Sequence, residues 1–220
     1  MEFEMKPVPA DAKRGWTITA DGVIIRPRKL TLESRFGVWT YGVRPEGYDS
    51  IVIGEAAGGG AATLPYSYAP DGRLLVGLVM ENRPNMGDEP TPCLMGGFVK
   101  LGETHAQAQT RFGVEEGGMN TGSAKELQGF PANFNRAYCV ADAKADEGLH
   151  VFAVEIDHGV LDSVANFSWK LKPTAHWMLP GAKNPDALRF FTWRMAVRET
   201  ADALARSAIA QLLADLPEVH

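Results

Sequence analysis

Residues 97–119 read GFVKLGETHAQAQTRFGVEEGGM, and this stretch decides how the rest of the chain is interpreted. Thr104 precedes a run of helix-forming residues and Gln107 follows three positions later, which is the spacing of a capping box that begins a helix. Gly117 and Gly118 then supply a stop, because glycine readily takes the left-handed conformation that ends helices. The stretch therefore predicts a glycine-led turn that feeds one helix.

Short runs of β-branched and aromatic residues predict strands on both sides of this helix. In the first 60 residues they occur at 23–29, 35–43 and 50–55, and later at 134–142, 148–157 and 188–193. Pro70-Asp71-Gly72 predicts a hairpin turn, and the polar segment 143–147 predicts a second.

Three further segments complete the expected organisation. Residues 157–186 lack periodicity and predict a long irregular connection, whereas 195–216 predict one amphipathic helix of about 20 residues. The glycine-rich EAAGGGAAT at 55–63 predicts a flexible turn. The order of elements indicates an α+β fold, with a mixed β-sheet sandwiched between α-helices.

Composition excludes several classes of protein. The 220 residues are 45% hydrophobic and 22% charged, which is typical of a folded globular chain with one sizeable core. The 22 Lys and Arg against 27 Asp and Glu give a net charge of −5, which argues against nucleic-acid binding. No apolar stretch is long enough to span a membrane, and the start lacks the apolar run of a signal peptide. The two cysteines are too few for a disulfide framework, which fits a reducing compartment. We therefore expect a cytoplasmic protein.

Residues 97–119 resemble the signature of the Nudix hydrolase family, the Nudix box. That signature is a Gly, five residues, a Glu, seven residues, Arg-Glu, an aliphatic residue, any residue, Glu-Glu, any residue, Gly and an aliphatic residue. Seven positions of this chain match it: Gly97, Glu103, Arg111, Glu115, Glu116, Gly118 and Met119. Two depart from it, because Phe112 replaces the first Glu of the helix and Gly113 replaces an aliphatic residue.

The resemblance implies a Nudix fold and a divalent-metal site for Mg²⁺ or Mn²⁺. Glu115 and Glu116 would be the catalytic carboxylates and metal ligands, helped by a main-chain carbonyl near Gly96 or Gly97, while Glu103 and Arg111 would form a supporting ion pair. Hydrolysis of a pyrophosphate needs such cations, because its negative charge repels a water nucleophile until the cations neutralise it. Residues at i, i+3 and i+4 share one helix face, so positions 112, 115 and 116 would bring three carboxylates together in the family signature. In this chain the first of the three positions carries the phenyl ring of Phe112.

Around the box, residues 60–214 loosely resemble the ADP-ribose pyrophosphatase and nucleotide-sugar branch of the family. That branch has an Arg-containing element before the box, matched here by residues 81–83, so Arg83 is a predicted substrate-binding residue, together with Gly97 of the box. It also uses N-terminal strands to dimerise. We therefore expect residues 1–60 to be a strand extension that forms a homodimer, and residues 61–220 to be the Nudix domain.

Three functions remain open from the sequence. The first is hydrolysis of a nucleoside diphosphate linked to another moiety, with ADP-ribose or a related nucleotide sugar as substrate. The second is nucleotide binding without catalysis, and the third is carbon–oxygen cleavage at the sugar. A general base would come from the connection at 157–186, whose acidic and histidine residues are Asp157, His158, Asp162, His176 and Asp186.

Overall fold

A computed structural model describes the chain with side chains at residues 59–83, 89–128, 149–164, 168–175, 179 and 186–216. Before residue 56 it describes the backbone of six strands. The chain divides into two compact units, Met1–Gly54 with Asn135–Tyr138, and Glu55–Phe134 with Cys139–His220. The predicted strand at 134–142, the predicted turn at 143–147 and His176 lie outside the described residues.

The N-terminal strands form two three-stranded sheets. The first sheet has the order β1-β2-β3 and contains Phe3–Pro7, Trp16–Ala20 and Val23–Ile25. The second has the order β4-β5-β6 and contains Lys29–Ser34, Gly37–Val43 and Asp49–Glu55. The strands expected within residues 1–60 are present, and their use in a homodimer stays a prediction.

The second unit is built on a nine-stranded sheet. Its strands in chain order, β7 to β15, are Gly60–Tyr68, Leu74–Glu81, Thr91–Cys93, Met95–Phe98, Lys125–Glu126, Leu149–Glu155, Leu161–Val164, Ser168–Leu171 and Leu188–Thr192. The main order is β11-β12-β7-β8-β15-β14-β13, while β10 pairs with β7 and β9 pairs with β8. The β12–β7 pair is parallel and the other pairs are antiparallel, so the sheet is mixed.

Helices cover both faces of this sheet. The helices are α1 (His105–Glu115), α2 (Trp193–Glu199) and α3 (Ala203–Asp215), with a 3₁₀ turn at His158–Val160. Successive strand residues face opposite sides, so Phe152 packs in the core cluster that contains α1, and Val151 packs in the cluster that contains α2 and α3. The predicted α+β class, with a mixed sheet between helices, is confirmed.

The predicted local signals around α1 are confirmed. Thr104 is its N-cap, and both bonds of the capping box with Gln107 are present. Gly118 follows the helix with φ +62°. The hairpin at Pro70-Asp71-Gly72 is also present between β7 and β8, with Gly72 at φ +82°.

The expectation of a flexible turn at 55–63 is wrong for its last four residues, which begin β7 and are buried. Small side chains are needed there because other elements approach the backbone closely. A Cβ placed at Gly60 would lie 2.9 Å from Leu149 Cδ1 on β12.

Two further expectations are corrected. Residues 157–186 do not form one irregular connection, because β13 and β14 form a hairpin that buries Leu161 and Leu171 in the core. The sequence did not reveal these strands because four residues are too few to show a periodic pattern. The helix expected at 195–216 is two helices. The buried carboxylate of Asp202 caps the second one by accepting the N–H of Leu204 at 2.9 Å.

Among the described residues, no helix has the length and hydropathy needed to cross a membrane.

Candidate active site

An ion pair fixes the turn before α1 to the helix. Arg111 Nε and Nη2 donate to the two carboxylate oxygens of Glu103, each at 2.8 Å, and Nη2 also donates to the Phe98 carbonyl at 3.1 Å. The Arg111 guanidinium and the Lys100 N–H hold the pKa of the Glu103 carboxyl down at about 2. The pair that the resemblance implies is therefore present, as a two-pronged contact that sets the turn relative to the helix.

Both departures from the Nudix pattern have a packing reason. The Phe112 side chain is 7% exposed and belongs to the core, and its ring lies against Gly97, where a Cβ would be 2.7 Å from Cζ. At Gly113 a Cβ would collide with the Thr121 side chain. Phe112 thus fills the space between helix and turn with a ring, and Gly113 lets the segment after the helix approach its backbone.

Glu116, the C-cap residue of α1, points into the protein. Its Oε2 accepts the N–H of Gly96 on β10 at 2.9 Å, the one hydrogen bond this carboxylate makes with the described residues. Burial raises the pKa of the Glu116 carboxyl to about 7, and repulsion from Glu81 adds to the rise, against the lowering effects of the Gly96 N–H and of Arg83. Glu116 is itself partly buried, and an acid whose pKa is raised toward neutrality is a common feature of functional sites.

Glu81 and Arg83 form an ion pair whose charges act on Glu116. Glu81 is the last residue of β8, and its Oε2 accepts Arg83 Nε at 2.9 Å. The side chains of Arg83 and Glu81 are 34% and 30% exposed, so the pair is partly open to solvent. The structure thus brings Arg83 and Glu116, two sequence-predicted site residues, into one electrostatic neighbourhood.

Glu115 and Gly97 are placed differently from Glu116. The Glu115 side chain is 39% exposed and lies 3.7 Å from Arg111 Nη1, at the rim of the site. Gly97 lies under the Phe112 ring, and the main-chain contact to Glu116 is made by Gly96. The metal-binding roles of Glu115 and Gly97 stay predictions.

A buried acid anchors the strand that carries Gly96. Asp202 is 4% exposed, and its Oδ2 accepts the N–H of Leu94 at 2.9 Å. Thr200 Oγ1 donates to the carbonyl of Pro92 in the same segment. The start of α3 therefore holds the residues that connect β9 to β10 and fixes the position of Gly96.

The proposed sources of a general base are dispersed. Asp157 caps the 3₁₀ turn by accepting the Gly159 N–H, Asp162 is exposed on β13, and Asp186 pairs with Lys170 at 3.2 Å. His158 lies half-buried in that turn. Among the described residues, no hydrogen bond or ion pair joins these side chains to Glu116.

The residues at the site fit a hard divalent cation. No group of three or more His, Cys, Asp or Glu side chains among the described residues has the geometry of a complete metal cage. Mg²⁺ does not require such a cage, since it commonly binds through one or two carboxylates and takes its other ligands from water and substrate phosphates. Glu116 supplies one partly buried carboxylate, and the charges of Glu81 and Glu115 raise its pKa further. Three carboxylates that act on one another leave an excess of negative charge that a cation would relieve.

Sequence reasoning assigned no role to two residues of this site, Glu81 and Asp202. Glu81 was only part of the quoted 81–83 element, and Asp202 carried no motif, whereas Gly96 was named with Gly97 for a main-chain carbonyl. An acid two positions before the predicted anion-binding Arg83 was the signal available for Glu81. The other contacts join residues 20 and 108 positions apart, which local patterns do not reveal.

Comparisons with known proteins give similarity to solved structures only. No family model matches the chain, and no curated protein matches it. One similar structure is an ADP compounds hydrolase, with 12% identity over 84% of this chain and 91% of that chain and a TM-score of 0.45. Another is the NUDIX domain of Shewanella oneidensis NrtR complexed with ADP ribose, with 13% identity, coverage of 74% and 91%, and a TM-score of 0.46. A third is C. elegans Ap4A hydrolase, with 16% identity, coverage of 72% and 97%, and a TM-score of 0.45. Similarity at this level does not extend to function, so the chemistry of the chain rests on its own residues.

Proposed function

We propose that this chain is a Nudix-type hydrolase that cleaves a nucleoside diphosphate linked to another moiety, with ADP-ribose or a related nucleotide sugar as the leading substrate. The observation that carries the proposal is Glu116, a partly buried carboxylate that ends the helix of the box-like segment and accepts the Gly96 N–H, with its pKa raised to about 7. The adjoining turn is fixed by Glu103 and Arg111, which also match the family signature.

The charge balance supports an anionic substrate that arrives with cations. Glu81, Glu115 and Glu116 give three carboxylates, whereas Arg83 is the neighbouring guanidinium that is not committed to Glu103. A pyrophosphate alone would be repelled by this acidic excess. When bound, Mg²⁺ or Mn²⁺ supplies the charge neutralisation that lets water approach phosphorus.

The chain's own residues then have separate tasks. Glu116 and Glu115 hold the cation, and Arg83, with neighbouring main-chain N–H groups, binds the phosphate oxygens. Glu103 and Arg111 keep the turn and the helix in register. The buried Phe112 ring keeps solvent out of the space between α1 and Gly97.

A nucleotide-binding protein without hydrolytic activity is the second candidate. Phe112 favours it, because a ring packed in the core occupies the helix position where the family signature has a carboxylate. This alternative keeps Arg83 and Glu116 as ligand contacts and removes only the chemical step.

A substrate screen tests the proposal. Purified protein with Mg²⁺ or Mn²⁺ is incubated with ADP-ribose, nucleotide sugars, dinucleoside polyphosphates and nucleoside triphosphates, and products are separated by chromatography. We expect turnover of a nucleoside diphosphate derivative that Glu116→Gln abolishes. A matched variant, Glu199→Gln, changes an exposed acid on α2 and should keep activity.

The outcomes separate the candidate functions. Binding without products favours the non-catalytic protein, and equal activity of Glu116→Gln and wild type contradicts the role of Glu116. Incorporation of ¹⁸O from labelled water into phosphate indicates phosphorus–oxygen cleavage, whereas incorporation into the sugar indicates the carbon–oxygen alternative.

A further inference from the structure

Among the described residues, the Arg83 guanidinium has one hydrogen-bond partner. Nε donates to Glu81 Oε2 at 2.9 Å, and neither Nη group makes a further hydrogen bond within this part of the chain. The side chain is one-third exposed. A guanidinium held in this way presents two parallel N–H donors, the arrangement that matches two oxygens of a phosphate.

Glu81 is the better anchored member of the pair. Its backbone lies in β8, where it pairs with Thr91 of β9, and the preceding residues of β8 pair with Pro92 and Cys93. Arg83 lies two residues past the end of the strand. The strand therefore fixes the backbone of Glu81, and the hydrogen bond to the Glu81 carboxylate orients the Arg83 guanidinium.

We propose that Glu81 is a positioning residue for substrate binding, which fixes the Arg83 guanidinium so that its two Nη groups face the phosphates of a nucleoside diphosphate. This inference rests on the proposed function, because it requires a phosphate-bearing ligand at the site. Glu81 acts through Arg83 and touches no substrate atom itself.

A simple charge effect predicts the opposite result, which makes the inference testable. As a nearby negative charge, Glu81 would repel a phosphate, and removing it would strengthen binding. As a hydrogen-bond acceptor that orients Arg83, it would weaken binding when removed. Glu81→Gln and Glu81→Met separate these effects, because glutamine keeps an acceptor oxygen without the charge and methionine keeps the length without the acceptor.

The experiment measures binding of α,β-methylene-ADP in the presence of Mg²⁺ by titration calorimetry. This probe keeps both phosphates and resists cleavage between them, so the readout is independent of turnover. The proteins are wild type, Glu81→Gln, Glu81→Met, Arg83→Met and the double variant with both methionines. Thermal unfolding of each protein checks that it is folded.

We expect Glu81→Met to weaken binding about tenfold, within the range of coupling between residues in contact, and Glu81→Gln to stay within about threefold of wild type. In the Arg83→Met background, Glu81→Met should change affinity by less than about twofold, because the guanidinium to be positioned is gone. A fold defect alone would instead weaken binding equally in both backgrounds.

Three results would overturn the inference: Glu81→Met binding as tightly as wild type or tighter, equal losses with and without Arg83, or no binding of the probe to wild type. The role of Glu81 and the proposed function can fail separately. Hydrolysis by wild type, together with unaltered binding by Glu81→Met, would keep the enzyme assignment and remove only the role of Glu81.

Discussion

The ring of Phe112 packs directly on the backbone of Gly97, so close that a Cβ at Gly97 would lie 2.7 Å from Cζ and 2.9 Å from Cε1. The ring is also stacked on the Arg111 guanidinium, 4.1 Å from its centroid. One aromatic residue thus joins the turn, the helix and the ion pair at the position where the Nudix signature has a carboxylate. Under the proposed function, we therefore expect a substitution at Phe112 to change both the stability of the protein and its affinity for a cation.

Replacing Phe112 by Glu should exchange stability for cation affinity. Loss of a buried phenyl ring costs about 3–5 kcal/mol of unfolding free energy, and a carboxylate buried there adds to the cost in the absence of metal. A cation that binds the new carboxylate stabilises the folded state. We expect a larger Mn²⁺-dependent rise in Tm for Phe112→Glu than for wild type, measured by thermal unfolding. Phe112→Gln has a similar size without the charge and should show no extra rise; equal rises in the two variants would refute the coupling.

Gly97→Ala should destabilise the protein by about 1–3 kcal/mol, because the added methyl group overlaps the Phe112 ring, whose neighbours leave it little room. Urea unfolding of the single and double variants measures this. In a Phe112→Leu background the shorter side chain removes the overlap, and the cost of Gly97→Ala should fall below about 1 kcal/mol. Equal costs in both backgrounds would mean that the contact is not responsible.

Glu103→Gln should lower stability at neutral pH by about 1–2 kcal/mol, the range for a hydrogen-bonded contact to a charged group. Arg111 lowers the pKa of Glu103 from 4.5 to about 2, so the folded state binds this proton less tightly than the unfolded state. The stabilisation is therefore present above pH 4.5 and is lost as the pH falls toward 2. Urea unfolding at pH 7 and pH 3.5, roughly the midpoint of this window, should show wild type and Glu103→Gln converging at the lower pH. A constant difference would argue against the ion pair as the cause.

Glu116 should make cation binding dependent on pH. Burial raises its pKa from 4.5 to about 7, and a cation binds the ionised form, so Mn²⁺ affinity should fall roughly tenfold for each pH unit below 7. Titration of Mn²⁺ followed by electron paramagnetic resonance measures this. Glu116→Gln should lose both the affinity and its pH dependence, whereas Glu115→Gln, at the exposed rim, should keep the pH dependence.

The same shift has a consequence for the metal-free protein. A carboxyl with a raised pKa contributes stability below its unfolded pKa, and this contribution is lost as the pH rises through the folded pKa of about 7. Glu116→Gln should therefore stabilise the metal-free protein at pH 8, by about 1–3 kcal/mol, and have little effect at pH 4. Destabilisation at pH 8 would show that Glu116 is a structural residue.

Sequence alone determined the features that depend on near neighbours in the chain. The capping box of Thr104 and Gln107, the hairpin at 70–72 and the spacing of Glu103 and Arg111 were all predicted, because their partners lie within eight residues of one another. Residue types there restrict the backbone directly, through caps, turns and helical periodicity.

Only the tertiary structure decided how the site is assembled. Glu81 raises the pKa of Glu116 across 35 positions of the chain, Asp202 accepts the Leu94 N–H across 108, and Gly113 makes room for Thr121. The division of the last helix at Asp202 has the same origin, since the acid is held by a distant strand as well as by its own helix. Such contacts depend on which faces of the sheet and helices meet, and their free energy is realised only when the whole core has packed. The chain therefore encodes its local elements in short patterns, and the environment of Glu116 follows from their packing.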